Sequence, residues 1–279
     1  MKIMICGAGT MGSGIAQVIA EAGHQVYLRD LNEDFVQRGI KTIDKNLSRK
    51  VEKGKVSADE KEKFMALITG VASLEHAQEA DLIIEAIVEK MEPKKQLWQE
   101  LDKVCGPNTI FATNTSALSV SEIGASTSRS DRFIGMHFFN PAPVMQLVEI
   151  IKGAGTSEAT YCFAMEFTKS LGKNPVTVEE APGFVVNRIL IPMINEAAYI
   201  LAEGIASAED IDTGMKLGAN HPLGPLALGD LVGLDVCLSI METLHQETGD
   251  DKYRPCPLLR KMVRAGFLGR KTGKGFFNY

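Results

Sequence analysis

No Cys-x-x-Cys pair occurs among the five cysteines of this 279-residue chain, Cys6, Cys105, Cys162, Cys237 and Cys256. An odd, scattered set offers neither a disulfide framework nor a zinc-type cluster, so a reducing, cytoplasmic setting without a metal is expected. Excess positive charge is missing too: 30 Lys and Arg against 35 Asp and Glu leave a formal charge of -5. That balance argues against a general nucleic-acid or anionic-membrane binder, while leaving room for a local basic patch. No apolar run approaches the length of a membrane span; Ile189 to Ile194 is short and interrupted by Pro192. The first residues enter an apolar strand at once, so no signal or transit segment is expected. What is present is an ordinary globular composition, 45% hydrophobic and 23% charged, enough for one large or two modest domains.

The chain opens with a buried-type strand, Lys2 to Cys6, that runs into Gly7-Ala-Gly9-Thr10-Met11-Gly12 and then a helix to about Ala22. A second strand, Gln25 to Arg29, ends in Asp30, which lies 30 - 12 = 18 positions beyond Gly12. A glycine fingerprint alone is weak, but a preceding strand, a following helix and an acidic residue roughly 20 positions on define a dinucleotide-binding unit. Gly7 permits the tight turn, Gly9 admits a pyrophosphate to the backbone, and Gly12 lets helix and strand pack closely. The helix N-terminus faces the negative charge. Asp30 would accept hydrogen bonds from ribose hydroxyls and repel a 2′-phosphate, favouring NAD over NADP; Arg29 beside it pulls the other way.

Strands and helices alternate from there to about residue 178, which predicts an α/β fold whose mainly parallel sheet is wound with helices on both faces. A long helix from Glu33 to about Lys53 carries Lys41, Lys45 and Arg49 four apart on one face, with Lys50 and Lys53 on an adjacent one. A solvated helix face and a clamp for a polyphosphate ligand both account for this stripe. Glu89 and Lys94 follow the strand Asp81 to Ala86, on a loop that would border the cofactor; a surface ion pair is the plainer account. Asn114 and Ser116 follow the strand Thr109 to Ala112, where open α/β sheets bind ligands. Ser119 with Glu122 reads as a capping box. Glu179 to Gly183 marks the boundary between a first domain, residues 1–181, and a second, 182–279, in which strand signals nearly vanish. The second reads as helices over 184–203, from Ser207, over 223–245 and over 258–265, followed by a glycine-rich tail docked by aromatics. Asn187 stands at the start of the first of these, where it is either a surface residue or turned toward a cleft.

Chemistry converges on residues 131–150. Phe133 to Met136 is apolar enough for a buried strand and leads to His137 and Asn140; Pro141 and Pro143 then exclude a helix. Glu149 lies among Leu147, Val148, Ile150 and Ile151, where a charge is costly unless it has a partner. The proline turn brings His137 alongside it. A carboxylate holding an imidazole at a strand end suits a general acid/base; a core histidine satisfied by a structural carboxylate accounts for the same residues.

Five motifs carry a resemblance: Gly7-Ala-Gly-Thr-Met-Gly12, Ile83-Ile-Glu-Ala-Ile-Val-Glu89, Thr113-Asn-Thr-Ser116, Gly135-Met-His-Phe-Phe-Asn-Pro-Ala-Pro-Val144 and Ala181-Pro-Gly-Phe-Val-Val-Asn-Arg188. With the tail Gly269-Arg-Lys-Thr-Gly-Lys-Gly-Phe276, they resemble the L-3-hydroxyacyl-CoA dehydrogenase family over essentially the whole chain. The resemblance implies a Rossmann-like NAD-binding domain followed by an all-helical dimerisation domain, hence a homodimer. It implies an oxidoreductase that interconverts L-3-hydroxyacyl-CoA and 3-oxoacyl-CoA, with 3-hydroxybutyryl-CoA and acetoacetyl-CoA as the short-chain pair. On these positions it casts His137 as general base or acid with Glu149 as its partner. Ser116 and Asn187 would hold the reacting oxygen and Asn140 would order the site. Asp30, Glu89, Lys94 and Asn114 would contact NAD, and Asn46, Lys50 and Lys53 would meet CoA, Asn46 standing where some relatives carry Ser. Two rivals stay open: a hydroxy-acid dehydrogenase acting on a substrate without CoA, and a non-catalytic NAD-binding sensor or structural protein.

Overall fold

The computed structural model describes residues 1–279 and divides into two compact units, Met1–Glu180 and Ala181–Tyr279. The first begins with β1 (Lys2–Cys6), α1 (Thr10–Glu21) and β2 (Gln25–Arg29), then α2 (Glu33–Glu52), α3 (Ala58–Ala66) and β3 (Ile68–Val71). It continues through β4 (Leu82–Glu85), α4 (Met91–Val104), β5 (Ile110–Thr113), α5 (Val120–Gly124), β6 (Phe133–Phe138), β7 (Leu147–Lys152), α6 (Glu158–Ser170) and β8 (Asn174–Glu179). The strands form one sheet in the order β3-β2-β1-β4-β5-β6-β7-β8. Pairing is parallel from β3 to β6, antiparallel between β6 and β7, and parallel again between β7 and β8.

The single antiparallel pairing follows from chain length. Only residues 139–146 separate β6 from β7, too few for a crossover, which needs about a dozen. Side chains alternate across the sheet. Ile3, Ile5, Ile134 and Met136 join Ile15, Ile19, Ala164 and Phe167 of α1 and α6 in one core. Phe111 and Phe133 turn the other way and meet Trp98 of α4, with ring centroids 4.7 and 5.0 Å from the indole. Helices therefore cover both faces. Because β1, β4, β5 and β6 are parallel, their carboxyl ends share one edge, and the order reverses direction between β1 and β4. Asn32, Ser57 and Ser157 cap α2, α3 and α6, each side chain accepting a backbone N–H of the first turn. The expected box at α5 is half formed: Ser119 accepts from the Glu122 N–H, while the Glu122 carboxylate is drawn to Lys95.

The second unit holds α7 (Val186–Ala202), α8 (Ala208–Gly218), α9 (Pro225–Val232), α10 (Leu234–Thr248) and α11 (Pro257–Arg264). The sequence predicts one helix over 223–245; the structure has two. Gly233 adopts φ +105°, which ends α9, and the backbone restarts immediately as α10. Ile191, Ile194, Ala198, Leu234, Met241, Leu244 and Leu259 form this unit's core. The tail is docked by more than its aromatics: Asp230 accepts the Phe276 and Phe277 N–H groups at 2.9 Å each, and the Tyr279 hydroxyl at 3.1 Å. No helix is long and apolar enough to cross a membrane.

Candidate active site

The glycine loop begins with Gly7 at φ +109°, where an added Cβ would lie 2.5 Å from the Ala86 carbonyl oxygen. A Cβ on Gly12 would sit 1.7 Å from the Gly7 oxygen, so only glycine lets α1 start this close to β1. Gly9 differs: an added Cβ meets nothing within 4 Å, and Gly9 is the N-cap of α1 without a side-chain cap. The helix thus presents unsatisfied N–H groups to open space, a setting for an anion. Thr10 and Met11 form the first turn. Asp30 is fixed by two amides, the Ala8 N–H at 2.7 Å on one carboxylate oxygen and its neighbour Leu31 N–H at 2.7 Å on the other. Each oxygen keeps capacity for a further donor such as a ribose hydroxyl. A groove of about 360 Å³ lies here, walled by Gly7, Gly9, Asp30, Val88 and Leu97. Its uncapped helix start, acidic edge and apolar wall fit a dinucleotide.

At the far end of the same edge, His137 and Glu149 are direct cross-strand partners of β6 and β7. His137 Nδ1 lies 2.8 Å from Glu149 Oε2, with side chains only 6% and 1% exposed. The pair is shielded from water, so it is worth more than a surface contact. Donation of the Nδ1 hydrogen to Glu149 makes Nε2 the unprotonated, basic nitrogen of the neutral ring. The Phe139 ring lies 4.5 Å from the imidazole, centroid to centroid. Asn140 is exposed at the start of the proline turn, in a cis bond to Pro141. Lys173, itself buried, clasps that turn by donating to the Ala142 and Met145 carbonyls at 2.8 Å each. Burial holds the Lys173 ammonium below its ordinary pKa.

Between these two ends runs the segment after β5. Asn114 is buried and its Oδ1 accepts the Phe138 N–H at 2.8 Å, tying the end of β5 to the end of β6. Glu89 Oε1 accepts the Thr115 hydroxyl at 2.5 Å and the Ser116 and Ala117 N–H groups at 2.6 and 3.2 Å. Lys94 is wholly buried; its Nζ donates to Glu85 Oε1 at 2.6 Å and stands 3.3 Å from Glu89 Oε2. Exposed Glu89 and buried Lys94 therefore border the Ser116 turn as a linked pair. On α2, Lys50 is committed to Glu21 at 2.6 Å, Asn46 is half-buried, and Lys53 ends the helix exposed. Lys41, Lys45 and Arg49 are exposed and enter no ion pair, so this stripe is an unneutralised cationic surface. Asn187 lies in the first turn of α7, in the second unit.

Sequence reasoning overlooked Glu85 and Lys173. Glu85 carried the same signal as Glu149, a charge inside an apolar strand; Lys173, in a turn between α6 and β8, carried none.

A buried imidazole with its carboxylate, on the strand edge where a dinucleotide fits, is the working arrangement of a dehydrogenase that moves a proton and a hydride from neighbouring positions. Comparison with known proteins narrows that class to one family. The 3-hydroxyacyl-CoA dehydrogenase NAD-binding domain matches residues 2–181, and the same family's C-terminal domain matches residues 183–279. The chain belongs to the 3-hydroxyacyl-CoA dehydrogenase family. It is 54% identical over 279 residues to a 3-hydroxybutyryl-CoA dehydrogenase of Clostridioides difficile, covering 100% of this chain and 99% of that one. It is 53% identical over 278 residues to a probable 3-hydroxybutyryl-CoA dehydrogenase of Bacillus subtilis, covering 100% and 97%. The crystal structure of (S)-3-hydroxybutyryl-CoA dehydrogenase from Ralstonia eutropha superposes with a TM-score of 0.97 at 50% identity, covering 100% of this chain and 98% of that one. The expected family, the α/β fold with an all-helical second part, and NAD as cofactor are all borne out.

Proposed function

We propose that this chain interconverts L-3-hydroxybutyryl-CoA and acetoacetyl-CoA, with His137 as the proton-transferring group. The 2.8 Å pairing of His137 with Glu149, sealed from solvent on the dinucleotide edge, is the observation that carries this reading. In the oxidising direction His137 Nε2 takes the hydroxyl proton; in the reducing direction the imidazolium returns it to the developing alkoxide. When bound, NAD supplies the complementary hydride chemistry. Glu149 fixes the tautomer and the orientation of the ring. Ser116 and Asn187 hold the reacting oxygen, and Asn140 orders the mouth of the site. Gly7, Gly9, Thr10, Met11 and Gly12 with Asp30 hold the pyrophosphate and ribose, bordered by Glu89, Lys94 and Asn114. The exposed stripe Lys41, Lys45 and Arg49, with Asn46, Lys50 and Lys53 beside it, supports recognition of the CoA phosphates; of these, Lys53 keeps its charge fully available.

The second unit, residues 182–279, serves as the dimerisation domain. Its strongly exposed Ile189, Leu217, Leu231 and Val236 offer apolar surface for such pairing; a concentration-independent monomer mass in solution would refute it. The five cysteines are free thiols, which suits the cytoplasm. The deciding experiment follows NADH absorbance after addition of acetoacetyl-CoA, with free acetoacetate and NADPH as parallel controls. Loss of NADH with the thioester alone, abolished in His137→Ala, is the expected result. Equal turnover of free acetoacetate would favour a hydroxy-acid dehydrogenase, and NADH binding without turnover a sensor.

A further inference from the structure

Glu85 is the last residue of β4, fully buried, and its carboxylate receives three donors. The Ile87 N–H at 2.8 Å and Lys94 Nζ at 2.6 Å meet Oε1; the Thr113 hydroxyl at 2.7 Å meets Oε2. Lys94 also stands against Oε2 of Glu89, whose Oε1 holds the Thr115–Ala117 turn. A side-chain chain thus runs Glu85, Lys94, Glu89, Ser116 amide, joining β4, the β4–α4 loop and the β5–α5 loop. A buried ion pair is weak evidence for stability, because desolvating both charges offsets their attraction and apolar residues of equal volume often serve as well. What it supplies is direction. The ammonium, fixed by Glu85 in the interior, gives the Glu89 carboxylate a stationary anchor, and that carboxylate receives the donors of the Ser116 turn.

We propose that Glu85 is a positioning residue for Ser116, acting through Lys94 and Glu89 on the turn that carries its hydroxyl. This rests on the reading of Ser116 as a ligand of the reacting oxygen. Glu85→Gln keeps the volume and, with its oxygen in the Oε1 place, an acceptor for Ile87 and Lys94, while its amide nitrogen donates to the Thr113 hydroxyl; what is lost is the charge that holds the Lys94 ammonium against the pull of Glu89. The Glu89 carboxylate then shifts toward Lys94 and the turn is released.

The test is a double-mutant cycle of Glu85→Gln with Ser116→Ala, reading kcat for acetoacetyl-CoA reduction, the KM values and the thermal midpoint. Residues outside contact and without a shared network behave additively, so coupling across this separation reports the chain of side chains. Glu85→Gln is expected to lower kcat about tenfold in the wild-type background and only about twofold in Ser116→Ala, with KM for acetoacetyl-CoA nearly unchanged. An equal tenfold loss in both backgrounds, with Ser116→Ala itself impaired, would overturn the positioning role and leave the Ser116 reading intact. An unimpaired Ser116→Ala would overturn both. Should Glu85→Gln fold poorly, the paired replacement Glu85→Met with Lys94→Met leaves no lone buried charge. That variant is expected to fold like the wild type yet show the same loss of kcat; full kcat would refute the proposal.

Discussion

Replacing Glu149 by Gln isolates the charge of the imidazole's partner from its shape. The amide is nearly isosteric and still accepts the Nδ1 hydrogen, so the 2.8 Å contact survives while the negative charge is lost. A hydrogen bond to a charged group contributes about 1.5–3 kcal/mol and a neutral one about 0.5–1.5, a difference of roughly 1–1.5 kcal/mol. With both side chains almost wholly buried, little of that difference is screened by water. Charge develops on the ring as the hydroxyl proton is taken, so the loss falls on the transition state and lowers kcat about 5- to 12-fold. Glu149→Ala leaves the Nδ1 hydrogen without this partner in an apolar site, and roughly a further 1–3 kcal/mol is lost. The assay is NADH absorbance with saturating substrate, across pH, beside the thermal midpoint. Gln is expected to lower turnover and displace the pH–rate profile with little change in melting, whereas Ala depresses both. A Gln variant within twofold of wild type, with its pH–rate profile unmoved, would return the pair to a purely structural role.

Asp30→Ala removes the acceptor from the ribose and the charge that repels a 2′-phosphate, so the NADPH/NADH ratio of kcat/KM rises about tenfold; an unchanged ratio would place the ribose elsewhere. Lys53→Ala is expected to raise the KM for acetoacetyl-CoA about three- to tenfold, and added salt should weaken binding of wild type more than of the variant. A truncated thioester lacking the CoA phosphates should show neither effect. Burial pushes the Cys6 and Cys237 thiols up to about 12, while Cys162 is exposed; alkylation of native protein near pH 8 should mark Cys162 first, with all five labelled only in denaturant. Lys173 is held below the ordinary lysine value of 10.5, so its linkage contribution is present above that pH and lost as pH falls through its folded value. Denaturation midpoints should therefore rise relative to Lys173→Met as pH climbs toward 10.5, and parallel curves would refute the assignment.

The strands of the first unit were legible to within a few residues because they are apolar runs punctuated by glycine, proline and cap residues, and β1 and β2 match the sequence reading residue for residue. The His137–Glu149 pairing was legible because a charge in an apolar strand demands a partner and the proline turn leaves one within reach. The break at Gly233 was not: periodicity continues through α9 and α10, and only the backbone angle at that glycine divides them. Ion-pair partners were least legible. Lys50 lies beside Lys53 in sequence, but the packing of α1 against α2 puts it within reach of Glu21, and nothing in the spacing announces that.

Glu85 shows what the same physics yields when applied throughout. Segment 113–117 is anchored almost residue by residue: Thr113 by Glu85, Asn114 through Phe138, and Thr115, Ser116 and Ala117 by Glu89. The anchors come from β4 and its loop on one side and from β6, next to His137, on the other. A loop needing only to close a turn between β5 and α5 has no use for the fully buried carboxylate of Glu85, which costs desolvation that apolar packing would avoid. Its presence is accounted for if Ser116 must stand at a set distance from the strand that carries His137, because rates fall steeply when a reacting group is misplaced by about 1 Å. Substitutions at these anchors should therefore cost turnover before they cost stability.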